Sequence, residues 1–191
     1  MLELMAGLVL FLGVHSIAII APEARTRARR RWGEGPWRAG YALASLAGFV
    51  LIIYGFAVQR QAPLTLQVYA PPHWMRYATF LLMVPVFPLL IATYLPGRIK
   101  TAAKHPMLAA VKFWAFGHLL SNGTLADVVL FGGFLAWAVA DRISLKRRST
   151  ATAGAPAGRF NDLIAVVLGL ALYLLFIVWA HVRLFGVSPL G

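Results

Sequence analysis

Apolar residues run along this chain in six stretches, about 2–21, 38–58, 76–95, 106–121, 125–141 and 163–184, separated by short polar or basic connections. Crossing the hydrocarbon core takes about 20 apolar residues in a helix, and most of the stretches are near that length. The fourth is shorter, and only Asn122-Gly123-Thr124 separates it from the fifth, so these two are predicted to form a tight helical hairpin. Thr124 followed by Asp127 has the spacing of a helix N-cap with a carboxylate in the first turn. That reading makes Asp127 a capping residue rather than a catalytic one. In the third stretch Pro85 and Pro88 interrupt the hydrogen-bond ladder, which predicts a bend. Such a bend either makes room for a cofactor or serves ordinary packing. The pattern predicts an all-α, polytopic integral membrane bundle of about six transmembrane helices, forming a single domain over residues 1–191.

Charge orients the bundle. Arg25, Arg27, Arg29, Arg30, Arg31 and Arg38 follow the first stretch; Arg98, Lys100 and Lys104 follow the third; Arg142, Lys146, Arg147, Arg148 and Arg159 follow the fifth. The opposite connections carry only Arg60, Arg76 and Arg183. Basic loops stay in the cytoplasm, so both termini are predicted outside. The first stretch has no basic leader and no small-residue cleavage pattern, and it reads as a retained helix. Trp32, Trp37, Trp74 and Tyr77 fall at segment ends, where interfacial anchoring accounts for them. Residues 149–158, STATAGAPAG, read as a small-residue linker.

Composition narrows the chemistry. With 60% hydrophobic residues, 13% charged and a mean hydropathy of +0.74, the chain belongs in a lipid bilayer. Its net charge of +12 sits in the loops, which suits anionic headgroups and excludes a nucleic-acid partner. There is no cysteine, so disulfides, thiolate haem ligands and cysteine-held clusters are excluded. The six acidic residues avoid mid-membrane, which leaves no paired carboxylates or carboxylate relay there. No glycine-rich phosphate loop, zinc-protease motif or nucleophile elbow is present.

What remains is imidazole set in apolar surroundings. Polar side chains at membrane depth are costly and tend to be kept for function. His15 lies inside the first helix, either satisfied by a neighbouring carbonyl or serving as a ligand. His118 shares a helix face with Trp114 and Asn122, and Asn122 is expected to accept from the ring nitrogen that faces away from a ligand. His105 precedes Pro106 at a helix start; Lys112, on the same face, must snorkel or meet an anion such as a propionate or lipid phosphate. His181 is a ligand or an interfacial residue, and His73 is loop surface. His105 and His118 are thirteen residues apart, roughly 20 Å and about 140° around one helix, so they form two separate stations. This set suits a bis-imidazole haem b slotted between helices.

The segments LFLGVHS, YLPGRIKTAAKHPMLAAVKFWAFGHLLSNG, FGGFLAWAVADRISLKRR and HVRLFGVSP resemble the NnrU family of bacterial membrane proteins along the whole chain. The family is similar to the plant and cyanobacterial haem b enzyme that isomerises the central cis double bond of tri-cis-zeta-carotene. The resemblance implies haem b, with iron ligands corresponding to His15 and His118 and the histidine before proline to His105. The isomerase has an alternative cysteine ligand where this chain has Ala115. The family name implies support of nitrite and nitric oxide respiration, as a redox or accessory component beside a respiratory reductase; the alternative is a haem-dependent cis-trans isomerase acting on a hydrophobic, carotenoid-like polyene. Helix arithmetic sets His15 about 5 Å to the cytoplasmic side of the bilayer middle and His118 about 7 Å to the outer side, so His181 matches the depth of His118 better. No catalytic residue is assigned.

Overall fold

The computed structural model describes residues 1–63, 65–147 and 156–190. Its helices are α1 (Leu2–Ile20), α2 (Pro22–Trp32), α3 (Glu34–Gln61), α4 (Met75–Met83), α5 (Val86–Ala92), α6 (Arg98–Ala103), α7 (Pro106–Ser121), α8 (Leu125–Leu145), α9 (Asn161–Leu175) and α10 (His181–Phe185), with a π-helical turn at Phe176–Ala180 joining the last two. Among the described residues five spans are long and apolar enough to cross a membrane: α1, α3, α4–α5, α8 and α9–α10. The fourth apolar stretch is α7, whose 16 residues fall short of that length. It is nonetheless packed against α4, α5 and α8, inside the bundle. The predicted helical membrane bundle is therefore the observed architecture.

The basic segment after α1, expected to be a plain connection, is itself helical. Pro22 sits at the first position of α2, where its missing N–H costs nothing, and Gly33, at φ 84°, turns the chain into α3. Helix α2 has no buried residue and packs on both α1 and α3, so it lies across the end of that pair.

Helices α1 and α3 approach backbone to backbone because glycines face each other. A Cβ on Gly7 would lie 2.6 Å from Ile52 N, and one on Gly48 would lie 2.7 Å from Phe11 N. Without a hydrophobic driving force between lipid-embedded helices, such close contact and its dispersion energy hold the pair. Leu4, Leu8 and Ile52 bury there with Ala115, Ala126, Leu130 and Phe131 of the α7–α8 hairpin.

The proline bend is present. Helix α4 ends at Met83 and α5 starts at Val86. The segment it introduces packs against α9. Gly169 of α9 lets that helix approach Pro88 so closely that a Cβ there would lie 2.5 Å from Pro88 N. One turn on, the Tyr173 hydroxyl donates to the Phe80 carbonyl at 2.9 Å, satisfying an acceptor at the break.

The hairpin connection is also as expected. Thr124 Oγ1 accepts from Asp127 N at 3.2 Å, and Asp127 Oδ2 accepts from Thr124 N at 3.0 Å, a reciprocal cap. The outer loop clamps the hairpin tip. Val68 N donates to Gly123 O and Leu125 N to Leu66 O, while the Tyr69 hydroxyl donates to the carbonyls of Leu119 and Asn122. On the basic side, Asp162 accepts from the N–H groups of Arg98 and Ile99 at 2.8 and 3.0 Å. Its neighbour Asn161 donates to Pro96 O and Pro156 O. Residues 148–155, with most of the proposed linker and Arg148, lie outside the described residues.

Candidate functional site

The imidazoles are set by their own helices first. His15 Nδ1 lies 2.7 Å from Phe11 O, and His118 Nδ1 lies 2.8 Å from Trp114 O, each one turn back along its helix. His181 Nδ1 lies 2.7 Å from Val187 O. A carbonyl only accepts, so in all three rings Nδ1 carries a proton, and in the neutral ring the lone pair is then on Nε2. This is the arrangement in which metal-binding histidines are found, with one nitrogen anchored to fix the tautomer and the other presented outward. It is also how a buried histidine satisfies itself, so the rings' mutual placement decides what they can do together.

That placement separates His15 from His118. His15 packs edge-on to Trp137 of α8, with centroids 6.0 Å apart, and His118 stacks on Phe131 of the same helix. Phe131 and Trp137 are six positions apart on α8, about 9 Å along its axis. Aromatic rings fill the path: Phe11 stacks on His15, Phe134 is 5.7 Å from Phe11 and 5.4 Å from Trp114, and Trp114 is 5.5 Å from His118. The two histidines expected as a pair are thus joined through rings rather than facing one another.

His181 lies within electrostatic reach of His118, as does Asp127. The π-helical turn immediately before His181 rotates that ring relative to a continuous α-helix. Such turns are rare and frequent at functional sites. Phe176 and Phe185 flank the ring edge-on, at 6.1 and 5.1 Å. No feature of the sequence signalled this turn.

The other expected residues have local roles. Asn122 does not reach the His118 ring; its Nδ2 donates to the His118 backbone carbonyl at 2.9 Å, closing the end of α7. His105 is the residue before α7, half-buried near Asp141 and Arg142 of α8. Burial, reinforced by Arg142 and Lys104 and opposed by Asp141, holds its ring below the ordinary histidine value. Lys112 is half-buried and has no hydrogen bond or ion pair among the described residues. His73 is exposed.

Among the described residues no three His, Cys, Asp or Glu side chains converge as a metal site. A porphyrin supplies four donors of its own, however, and two imidazoles suffice to complete its iron. Two such imidazoles have the donor chemistry that fits haem; His15 and His118 pack on different levels of α8, and His181 is a charge that acts on His118.

Sequence reasoning missed a second feature, beside His15. Trp137 Nε1 and Ser45 Oγ are buried without a partner. Ser45 lies one helical turn from Tyr41, whose ring is 5.4 Å from His15. Toward the basic side, His15 forms part of a cleft of about 330 Å³ with Val14, Ile17, Ala18, Trp37 and Tyr41, mouthed by Arg25, Arg29 and Arg38 with Glu34.

The family model described as NnrU protein matches residues 3–189, nearly the whole chain, and the chain belongs to the NnrU family. No curated protein and no solved structure matches it.

Proposed function

We propose that this NnrU-family membrane protein binds haem b through Nε2 of His118 and His181 and acts as a redox or accessory component of nitrite and nitric oxide respiration. The observation that supports the reading is that both rings are anchored through Nδ1 to a backbone carbonyl, with His181 among the groups that act electrostatically on His118. Haem held by His118 and His181 would supply a one-electron couple and an iron able to take a diatomic gas. The protein's part is to hold the two imidazoles in one tautomer, and to exclude water with Phe131, Phe176 and Phe185 around them. Lys112, lacking a partner, is available to an acidic group such as a propionate.

Isomerase chemistry of the carotenoid type gains no comparable support. Ala115 is fully buried, at 0% exposure, and brings no donor to the position of the exchangeable ligand.

The test is the absorption spectrum of protein purified from haem-replete cells. A six-coordinate, low-spin Soret band is expected in the native chain and in His15→Ala, with loss or five-coordination in His118→Ala and His181→Ala. Absence of any Soret band in the native protein overturns the proposal. A band lost with His15 and kept without His181 overturns the ligand pair.

A further inference from the structure

The cleft beneath α2 has the construction of a headgroup site. Helix α1 ends at Ile20 and α3 begins at Glu34, and α2 lies across their ends. Arg25 and Arg29, one turn apart on α2, therefore overhang a floor made by Val14, Ile17 and Ala18 of α1, with Trp37 and Tyr41 of α3 as a wall. Apart from the His15 ring the floor is apolar, and the mouth is cationic.

Charge at the mouth is not balanced. Glu34 is the sole carboxylate in the lining, against Arg25, Arg29 and Arg38. It accepts from Arg29 Nε at 2.7 Å and pairs with Arg38 Nε at 3.4 Å. Arg25 has neither hydrogen bond nor ion pair among the described residues, although its side of the helix is turned inward and half-buried. A guanidinium held in that position offers planar, paired donors to an oxyanion. On the same helix Arg27 and Arg31 are exposed, and Arg27 pairs with Glu23. The inward arginines thus differ from the outward ones in surroundings, not in charge.

Depth identifies the ligand class. The distribution of basic residues puts this end of the bundle at the cytoplasmic headgroup level, where anionic lipids are found. A freely soluble anion has no use for the Val14–Ala18 floor. We infer that the α1–α2–α3 cleft binds the phosphate head of an acidic phospholipid of the inner leaflet, with Arg25 and Arg29 on the phosphate and the start of the acyl chains over Val14, Ile17 and Ala18. Neither His118 nor His181 takes part, so this site and the haem proposal stand or fall separately.

The experiment uses the full chain in mild detergent, with native mass spectrometry counting retained lipid during titration with phosphatidylglycerol or phosphatidylcholine. Phosphatidylglycerol is expected to bind more tightly, and Arg25→Gln with Arg29→Gln to weaken it about tenfold, in line with the attraction of each basic residue for anionic lipid. The matched double variant Arg27→Gln with Arg31→Gln removes the same charge from the same helix and is expected to leave binding within about twofold. Ala18→Phe fills the floor without changing charge and is expected to lower phosphatidylglycerol retention as well. Equal weakening by both arginine pairs overturns the site in favour of a diffuse field. Displacement of the lipid by millimolar inorganic phosphate, or full retention in Ala18→Phe, overturns the amphiphile.

Discussion

The imidazole of His118 lies flat on the ring of Phe131, with centroids 4.6 Å apart and planes 23° apart. Stacking occupies one face of the imidazole and leaves its edge alone. Ligation uses a lone pair in the ring plane, so the phenyl ring restrains orientation without competing for the donor atom. His15 shows the same relationship with Phe11, at 4.2 Å and 28°. Both rings are therefore fixed twice, by a carbonyl at Nδ1 and by a phenyl face.

The α1–α3 pair tests the glycine contacts. Gly48→Leu is expected to destabilise the protein by about 1–3 kcal/mol or to separate the helices, because overpacking here meets backbone rather than a movable side chain. Gly40→Leu, on the same helix with nothing within 4 Å of its Cβ position, is the control and is expected to be near neutral. Thermal unfolding in detergent reads both; equal effects would remove the close-contact argument.

Asp162 carries a similar burden across 64 residues of chain. Its carboxylate accepts from the first N–H groups of α6, a capping role supplied from another helix. Asp162→Ala is expected to cost about 1–2 kcal/mol, the range of a lost cap. It is also expected to raise amide exchange at Arg98 and Ile99 selectively. Unchanged exchange at those two amides would refute the assignment.

His105 predicts a pH dependence. Its folded value is lowered, with burial the largest cause, so the folded protein binds fewer protons than the unfolded chain as pH falls through the ordinary value of 6.5. The contribution is intact above 6.5 and is lost progressively below it. His105→Gln is therefore expected to flatten the fall in thermal stability between neutral and mildly acidic pH. A ring titration of His105 with its midpoint at or above 6.5 would contradict the sign.

Much of the architecture was legible in sequence because membrane burial writes long apolar runs, and because caps and prolines act locally. Thr124, Asp127 and Pro85 do what their spacing implied. The helicity of the arginine-rich segment was obscured by its charge, which reads as a loop although arginine and alanine are good helix formers. The candidate site was legible in residue type and not in partnership. His15, His118 and His181 were each visible as anomalies in apolar surroundings, and helix arithmetic already set the first two at different depths. The turn that re-aims His181 depends on backbone register, which side-chain identity does not encode. The basic cleft likewise needs α2 folded back over α1, a tertiary event.

Anchoring Nδ1 to a carbonyl has a thermodynamic corollary for His15, His118 and His181. Each ring has a single lone pair left, so a proton and a metal ion must compete for the same atom. Were iron held there as proposed, acidification and its release would be one linked equilibrium, protons displacing the metal from the nitrogen that both need.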